Sequence, residues 1–401
     1  MLRKTIFWTH LVCGVLTGLV VIMMSATGVV LTYERQMLAW ADRAQYADPA
    51  PGQAPLSIAE LLDAASRQDP EFEARTLSLS KNPRAFAALG AGRSSSLRID
   101  RYSGEVLEPA AAGLRSFFSA MTGWHRWFNA SRENRAIPRA VTGISNLAFL
   151  FLIFSGLYLW LPPTFRWIRF KTRLLFNSKA ESAKARDYNW HHVIGFWSAI
   201  PLAVVVATAV VFSYGWANDL VYQVFGEDPS GGAAQPTARA GEPAAASAAS
   251  YGANATRTSP LSLDELFDSA SMQLPDWQTL TLTLPGADAT EAQFRIDLGN
   301  GGEPQKRHDV TLDMYTGQVA LWQPFDAQSP GRQARMWIRY LHTGEALGIV
   351  GQTVAGLVSL TSLIMVWTGA ALAWRRLVTP LFRRRRQGPA PQTGVADATN
   401  P

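Results

Sequence analysis

Four long apolar runs divide the chain into membrane-spanning and water-soluble segments. None of the runs contains Asp, Glu, Lys or Arg, and they are Leu11–Leu31, Gly143–Leu161, Val193–Trp216 and Ala346–Ala373. Each has roughly the 20 residues that an α-helix needs to cross the hydrocarbon core of a bilayer. Because an α-helix satisfies its backbone polar groups internally, the pattern predicts four transmembrane helices. The first run is longer than a signal-peptide core and lacks an obvious cleavage site, so we expect an uncleaved anchor.

The two long segments between the runs have the pattern of small α+β domains. Leu56–Ser66 and Leu261–Ser271 are predicted helices, each with a serine at the N-cap (Ser57, Ser262) and a glutamate three residues later. Strands are predicted at Arg75–Ser80, Ser96–Asp100, Thr279–Leu284 and Gln293–Asp297. Short interfacial helices are predicted at Leu114–Trp124 and Arg332–Leu341. They lead into the second span, which we expect to begin near Pro138, and into the fourth.

The two halves of the chain match each other in order, which indicates an internal duplication. The matching landmarks are His10 with His191, Thr27-Gly28 with Thr208-Ala209, Tyr102-Ser-Gly104 with Tyr315-Thr-Gly317, and Gly156 with Gly369. The predicted fold class is therefore an α-helical membrane protein with four transmembrane helices as two parallel repeats, each carrying a small α+β domain.

The segment boundaries follow from this organisation. They are 1–34 (first transmembrane helix), 35–113 (first α+β domain), 114–163 (interfacial helix and second transmembrane helix), 164–188 (basic loop), 189–217 (third transmembrane helix), 218–329 (second α+β domain), 330–376 (interfacial helix and fourth transmembrane helix) and 377–401 (tail). Residues 230–260 are rich in Ala, Gly, Ser and Pro, which predicts a flexible insert within the second α+β domain.

Basic residues predict the orientation of the chain. The loop between the second and third runs and the segment after the fourth run are both basic, and Arg3 and Lys4 precede the first run. By the positive-inside rule these segments are cytoplasmic, so both termini lie inside and the α+β domains lie outside. The same flanks account for the sequence pI of about 9.5. A nucleic-acid partner therefore need not be invoked.

The chain has a single cysteine, Cys13, within the first apolar run. This count excludes an internal disulfide, a cysteine-ligated zinc site and an iron–sulfur cluster. No nucleophile–base arrangement or phosphate-binding loop is visible, so no catalytic side chain is assigned. Any metal chemistry of this chain must use histidine.

Histidines stand near the ends of all four runs. His10 precedes the first run, His125 the second, His191 and His192 the third, and His342 the fourth. Two imidazoles that face each other across a helical bundle can hold an iron porphyrin from both sides. The repeat relates His10 to His191, which favours His191 over His192 as the ligand. His192 would point about 100° away on the same helix, where a propionate or a lipid phosphate could be its partner.

Two alternatives remain at this stage. Histidines near a membrane surface also occur as hydrogen-bonding partners of lipid headgroups. Outside the spans, His308 lies in a polar run without a counterpart in the first half, and a substrate or metal role for it is open.

Arginines cluster near His125 and His342. Arg126, Arg132, Arg135 and Arg139 surround the first, and Arg335 and Arg339 precede the second. Arg126, Arg139 and Arg339 are the candidate partners of haem propionates, because a guanidinium pairs with a carboxylate through two parallel hydrogen bonds. Anionic lipid headgroups would attract the same side chains.

Several motifs occur in the order found in one family. They are Trp124-His-Arg-Trp127, Thr142-Gly-Ile-Ser-Asn146, Ser155-Gly-Leu-Tyr-Leu-Trp160, Arg186-Asp-Tyr-Asn-Trp-His191-His192-x-x-Gly195 and His342-Thr-Gly-Glu-Ala-Leu-Gly348. The chain resembles the PepSY-associated transmembrane family over nearly its whole length, apart from the insert and the tail. In layout it is similar to the bacterial di-haem ferrisiderophore reductases in that family.

The resemblance implies two b-type haems in the bacterial inner membrane. His10 and His191 would bind the cytoplasmic-side haem, and His125 and His342 the outer one. The spacing from the histidine to the following span differs between His125 and His342, so the outer pair matches in kind but not in register. The α+β domains are expected to be PepSY-like periplasmic domains.

The expected function is a transmembrane, haem-dependent ferric reductase that passes electrons from the cytoplasmic side to a ferric siderophore. The sequence has no nucleotide or flavin fingerprint, so the electron donor would be a separate cytoplasmic or membrane partner. One alternative is a non-catalytic binding module anchored in the bilayer. Another is an iron–siderophore transporter, although transporters usually have ionisable residues at mid-membrane and these runs have none.

Overall fold

The computed structural model describes residues 1–92, 95–162, 167–229, 259–380 and 382. The chain forms two compact units. The helical unit comprises Met1–Val29, Trp124–Ala207 and the described residues from Gly356 onwards, and the sheet unit comprises Val30–Gly123 and Thr208–Ala355. Residues 230–258 of the predicted flexible insert lie outside the described residues, as do Arg166 of the basic loop and residues 383–401 of the tail.

Helices and strands alternate along the described chain as follows. The order is α1 (Leu2–Leu31), α2 (Glu34–Asp42), α3 (Ile58–Gln68), β1 (Thr76–Ser80), β2 (Ala87–Gly90), β3 (Ser96–Ile99), β4 (Val106–Leu107), α4 (Ala112–Trp127), α5 (Ala136–Trp160), α6 (Trp167–Leu174), α7 (Ala183–Ser213), α8 (Gly215–Gln223), α9 (Leu263–Gln273), β5 (Thr279–Thr283), β6 (Glu291–Asp297), β7 (Arg307–Asp313), β8 (Val319–Pro324), α10 (Pro330–Thr343) and α11 (Gly348–Leu377).

Four helices of the described chain are long and apolar enough to cross a membrane, which confirms the four predicted spans. They contain α1, α5, α7 and α11. The helix bounds differ from the apolar runs, because α1 begins at Leu2 and α7 at Ala183. His10 and His191 therefore lie inside helices rather than at their first residues. Hydropathy marks only the lipid-facing part of a helix, whereas backbone hydrogen bonding continues into the polar flank.

The strands form one antiparallel sheet of eight strands, in the order β4-β3-β2-β1-β5-β6-β7-β8. The sequence predicts two separate α+β domains, but the pairing of β1 with β5 joins the two sets of strands edge to edge. Both strands alternate leucine with Ser or Thr, so Leu77 lies opposite Leu282 on one face and Ser78 opposite Thr281 on the other. The leucine face belongs to a single hydrophobic core shared with α3 and α9. This pairing is not local in sequence, and only the folded chain reveals it.

The predicted helix starts of the sheet unit are confirmed. The Ser57 side chain accepts from the backbone N–H of Glu60 and the Glu60 carboxylate accepts from Ser57, which is a complete capping box at α3. Ser262 and Glu265 make the same arrangement at α9. The two helices are also linked, because the Asp264 carboxylate accepts from the Ile58 backbone N–H at 3.0 Å.

Candidate functional site

His10 is held against the neighbouring span by one buried hydroxyl group. Its Nδ1 atom lies 2.8 Å from the Oγ atom of Ser155 on α5. The next residue, Gly156, makes room for the ring, since a Cβ atom there would lie 3.4 Å from His10 Cε1. Ser155 is only 6% exposed, so the imidazole is tied to a position between helices.

His191 has the same surroundings on the other two spans of the helical unit. Its Nδ1 atom lies 3.0 Å from Thr368 Oγ1 on α11, and Thr368 is 1% exposed. A Cβ atom at Gly369 would lie 3.3 Å from His191 Cε1. The His10 and His191 imidazoles are near enough to each other to interact electrostatically. The structure thus brings together two of the predicted ligands.

His125 lies in the last turn of α4 and pairs with the first span. Its Nδ1 atom lies 3.0 Å from Thr27 Oγ1, on a residue that is 8% exposed. Gly28 follows, and a Cβ atom there would lie 3.5 Å from His125 Cε1. The sequence predicts that His125 follows an interfacial helix, whereas α4 continues through it to Trp127.

His342, in the sheet unit, pairs with the end of the third span. Its Nδ1 atom lies 3.3 Å from Oγ1 of Thr208, which is 7% exposed. The next residue is the small Ala209. The Phe212 ring packs edge-on against the imidazole with 5.4 Å between centroids. His342 lies inside α10, where the sequence places it after the helix.

The four pairs follow one rule. Each histidine has its Nδ1 atom at a Ser or Thr hydroxyl on the other span of its own half of the chain, and a small residue follows that hydroxyl. In this arrangement Nδ1 is engaged and Nε2 is the ring nitrogen that remains for another partner. In metal sites the ligating histidine is oriented in this way by a hydrogen bond at its second nitrogen.

His192 does not follow the rule. Its Nδ1 atom donates to the backbone carbonyl of Tyr188 on its own helix at 2.9 Å, and its ring lies 4.0 Å from the Tyr188 ring. The His191 and His192 centroids are 6.3 Å apart. Of the two neighbours, only His191 shares the hydroxyl contact of the other three histidines.

The unequal spacing after His125 and His342 has a local origin. Between His125 and α5 the chain makes a turn at Phe128 and Asn129, both with positive φ, and a short 3₁₀ helix, Arg132–Asn134. Between His342 and α11 there is only a left-handed Gly344 and the 3₁₀ turn Glu345–Leu347. The extra residues lie in this connection, and both histidines still reach hydroxyl groups that correspond in the repeat.

The arginines are placed differently from the prediction. Arg126 lies over the Trp127 ring at 4.7 Å and Arg135 over the same ring at 4.2 Å. Arg139 and Arg339 are exposed. Arg335, which is not among the predicted cofactor-binding residues, lies 4.8 Å over the Phe212 ring that contacts His342.

Arg335 combines burial with a neutral partner. Its Nε atom donates to the Asn218 side-chain oxygen at 2.7 Å. Among the described residues it makes no salt bridge with a carboxylate. Burial lowers the pKa of the Arg335 guanidinium. A half-buried cation in these surroundings favours an anion beside it.

His308 is far simpler than the other histidines. It lies on β7 opposite Ile296, and its ring stacks on Trp322 with 5.5 Å between centroids. Its buried Nδ1 atom has no hydrogen-bond partner among the described residues. Burial lowers the pKa of His308 below its ordinary value of 6.5, against the opposing effect of Asp326, Asp309 and Asp297. The ring is packed as a neutral aromatic group.

We expect His308 to make the sheet unit less stable in mild acid. As the pH falls below about 6.5, the unfolded chain takes up a proton that the native imidazole resists, so stability falls toward the lower native pKa. His308→Gln should flatten this slope, by less than about 1 kcal/mol because the group is partly exposed. The measurement is the thermal midpoint at several pH values, followed by tryptophan fluorescence. Parallel profiles for both proteins would contradict the expectation.

The four hydroxyl residues are the part of the site that sequence reasoning missed. The sequence shows Thr27 and Thr208 only as landmarks of the repeat, and Ser155 only within a family motif. Their signal is a Ser or Thr directly before a small residue in an apolar run, one such pair for each histidine. Within the described residues no group of three or more His, Cys, Asp or Glu side chains could hold a metal ion. Axial ligation of a porphyrin needs only one imidazole on each face.

The fold defines a multi-pass membrane protein with four candidate spans and a separate antiparallel sheet. The chain belongs to the family described as the PepSY-associated TM region, whose family model matches residues 7–376. This confirms the family resemblance of the sequence motifs. No curated protein matches the chain.

Proposed function

We propose that this protein is a di-haem electron carrier of the bacterial inner membrane that reduces ferric siderophores at the periplasmic face. His10 and His191 would hold one b-type haem, and His125 and His342 the other. The observation that carries the proposal is the set of four imidazoles whose Nδ1 atoms are engaged by buried hydroxyls.

The residues present fit a porphyrin ligand set. All four donors are neutral-type nitrogen ligands, which suit haem iron, and the glycines beside three of them keep Cβ atoms away from the ring edge. An imidazole buried near the end of a span is costly unless it has such a task. Arg335 supports a propionate nearby, because it is half-buried with only an amide oxygen as its printed hydrogen-bond acceptor.

Haem, when bound, supplies one-electron chemistry. The chain's own residues hold the ligand nitrogens in place, surround them with apolar helix faces that exclude water, and provide cations for carboxylate groups. No side chain of the spans has to act as an acid or a base. This agrees with the absence of Asp and Glu from the four apolar runs.

The substrate and the orientation follow from chemistry and charge. Siderophores bind the hard Fe(III) ion through oxygen donors much more strongly than Fe(II), so one-electron reduction promotes release of the iron. Lys171, Arg173 and Arg375 flank the spans of the helical unit, and the positive-inside rule makes that flank cytoplasmic. We propose that both termini are cytoplasmic, that the sheet unit is two PepSY-like repeats in the periplasm, and that the electron donor is a separate cytoplasmic or membrane partner.

A pyridine haemochrome assay of the full-length purified protein tests this proposal. We expect a haem-to-protein ratio of about two, with bis-imidazole spectra, and oxidation of the reduced protein on addition of a ferric siderophore. The control is the same detergent extract from cells that lack the protein. Absence of a Soret band after expression with added haem would overturn the proposal and leave the anchored binding module as the better reading.

A further inference from the structure

We propose that Ser155, Thr27, Thr368 and Thr208 are positioning residues that lock the four histidines in the Nδ1–H tautomer and leave Nε2 as the ligand atom. The part that concerns haem rests on the proposed function. The tautomer itself is a property of the chain and can be tested without any cofactor.

The direction of the hydrogen bond follows from counting protons. A hydroxyl group has one proton to donate. Ser155 Oγ donates it to the Phe151 carbonyl, one turn earlier on its own helix, at 2.7 Å. Its contact with His10 at 2.8 Å must therefore have the imidazole as donor. His10 consequently has its proton on Nδ1 and a free electron pair on Nε2.

The same count applies at two other pairs. Thr27 Oγ1 donates to the Met23 carbonyl at 2.7 Å, and Thr368 Oγ1 donates to the Ile364 carbonyl at 2.9 Å. Each of these hydroxyls therefore accepts from its histidine. Thr208 and His342 complete the set with a distance of 3.3 Å.

The acceptor's location matters as much as its chemistry. A histidine in a helix can satisfy Nδ1–H on its own backbone, as His192 does with Tyr188. That bond ties a ring to its own helix. A hydroxyl on the adjacent span instead places the ring between helices, and the small residue after the hydroxyl lets it approach closely. Each pair thus orients one ligand and also joins two spans.

The choice of a hydroxyl has a consequence for the redox chemistry. A carboxylate acceptor would pull strongly on the Nδ1 proton and favour Fe(III). A hydroxyl that is itself donating pulls less, so it supports Fe(III) moderately. Removing it should weaken the preference for Fe(III) and raise the reduction potential. Each tenfold loss of that preference corresponds to about 59 mV for a one-electron couple.

The first test uses haem-free protein in lipid bilayers with ¹⁵N-labelled histidine. Ring ¹⁵N shifts from solid-state NMR report which nitrogen has the proton. We expect Nδ1–H for His10 in the wild type, loss of that single tautomer in Ser155→Ala, and its retention in Ser155→Thr. Ser362→Ala is the matched control, because Ser362 is fully buried on α11 and its hydroxyl donates to its own helix at 2.9 Å. An Nε2–H tautomer in the wild type, or an unchanged signal in Ser155→Ala, would overturn the inference.

The second test uses haem-loaded protein. Thr368→Val should lower haem affinity at the His191 site by about 10–100-fold, the usual cost of removing a hydrogen bond to a metal-ligating histidine. The potential of the haem that remains should rise, and Thr368→Ser should restore both values. Equal affinity and potential in Thr368→Val and the wild type would contradict the positioning role. If the wild type binds no haem, the proposed function fails while the NMR result still decides the tautomer.

Discussion

His191→Ala is expected to remove one of the two haems and to stop electron transfer across the membrane. The haem-to-protein ratio should fall from about two to about one, because a porphyrin held from both sides loses one axial nitrogen. His10→Ala should give the same result, since we assign both rings to one haem. The measurements are the haemochrome ratio and the rate at which ferric siderophore oxidises the reduced protein.

His192→Ala is the matched control for this prediction. His192 is adjacent in sequence, but its Nδ1–H is bound to its own helix and its ring lies against Tyr188. The variant should keep both haems. If His192→Ala loses a haem and His191→Ala keeps two, the ligand assignment is reversed. If alanine at His10 and at His125 leaves both cofactor content and function intact, the chain is an anchor rather than a carrier.

Gly344→Ala is expected to destabilise the connection between α10 and α11 and to release the haem held by His342. Gly344 ends α10 in the left-handed conformation, with φ of 77°. An L-residue there costs about 1–2 kcal/mol by itself. A methyl group would also overlap the Gly351 carbonyl, and it would lie 2.7 Å from the Gln352 backbone nitrogen. The last turn of α10, which includes His342, must then shift away from Thr208.

Differential scanning fluorimetry and the haemochrome ratio measure these two effects. Gly215→Ala is the control, because Gly215 is also in the sheet unit and a Cβ atom there would meet open space. We expect a lower thermal midpoint and a ratio near one for Gly344→Ala, with both values unchanged for Gly215→Ala. A lower midpoint with two retained haems would remove His342 from the ligand set. An unchanged midpoint would contradict the structural argument itself.

Much of the fold could be read from local patterns. A run without charged residues is a membrane span whatever it packs against, so the four spans were predictable. The capping boxes at Ser57 and Ser262 depend on residues three apart, and the structure has both. The histidine positions and the family motifs are likewise properties of short segments, and the family match covers them.

Other features depend on contacts between residues far apart in the chain. β1 and β5 are separated by about half of the sequence, and nothing in either strand states that their edges meet. Each half reads as an independent domain because its own strands alternate in the expected way. A free sheet edge and a paired one have the same residue pattern, so only the fold distinguishes them.

The sequence by itself determined the spans, the duplicated order of motifs and the histidines as the metal-binding candidates, because hydropathy, spacing and residue type are written in the chain. The tertiary structure decided which hydroxyl each imidazole meets, why His191 differs from His192, and that Arg335 lies beside the Phe212 ring that contacts His342. A serine or threonine in a span usually bonds only to its own helix. Which of them also accepts from a histidine is set by the faces that adjacent helices bring together.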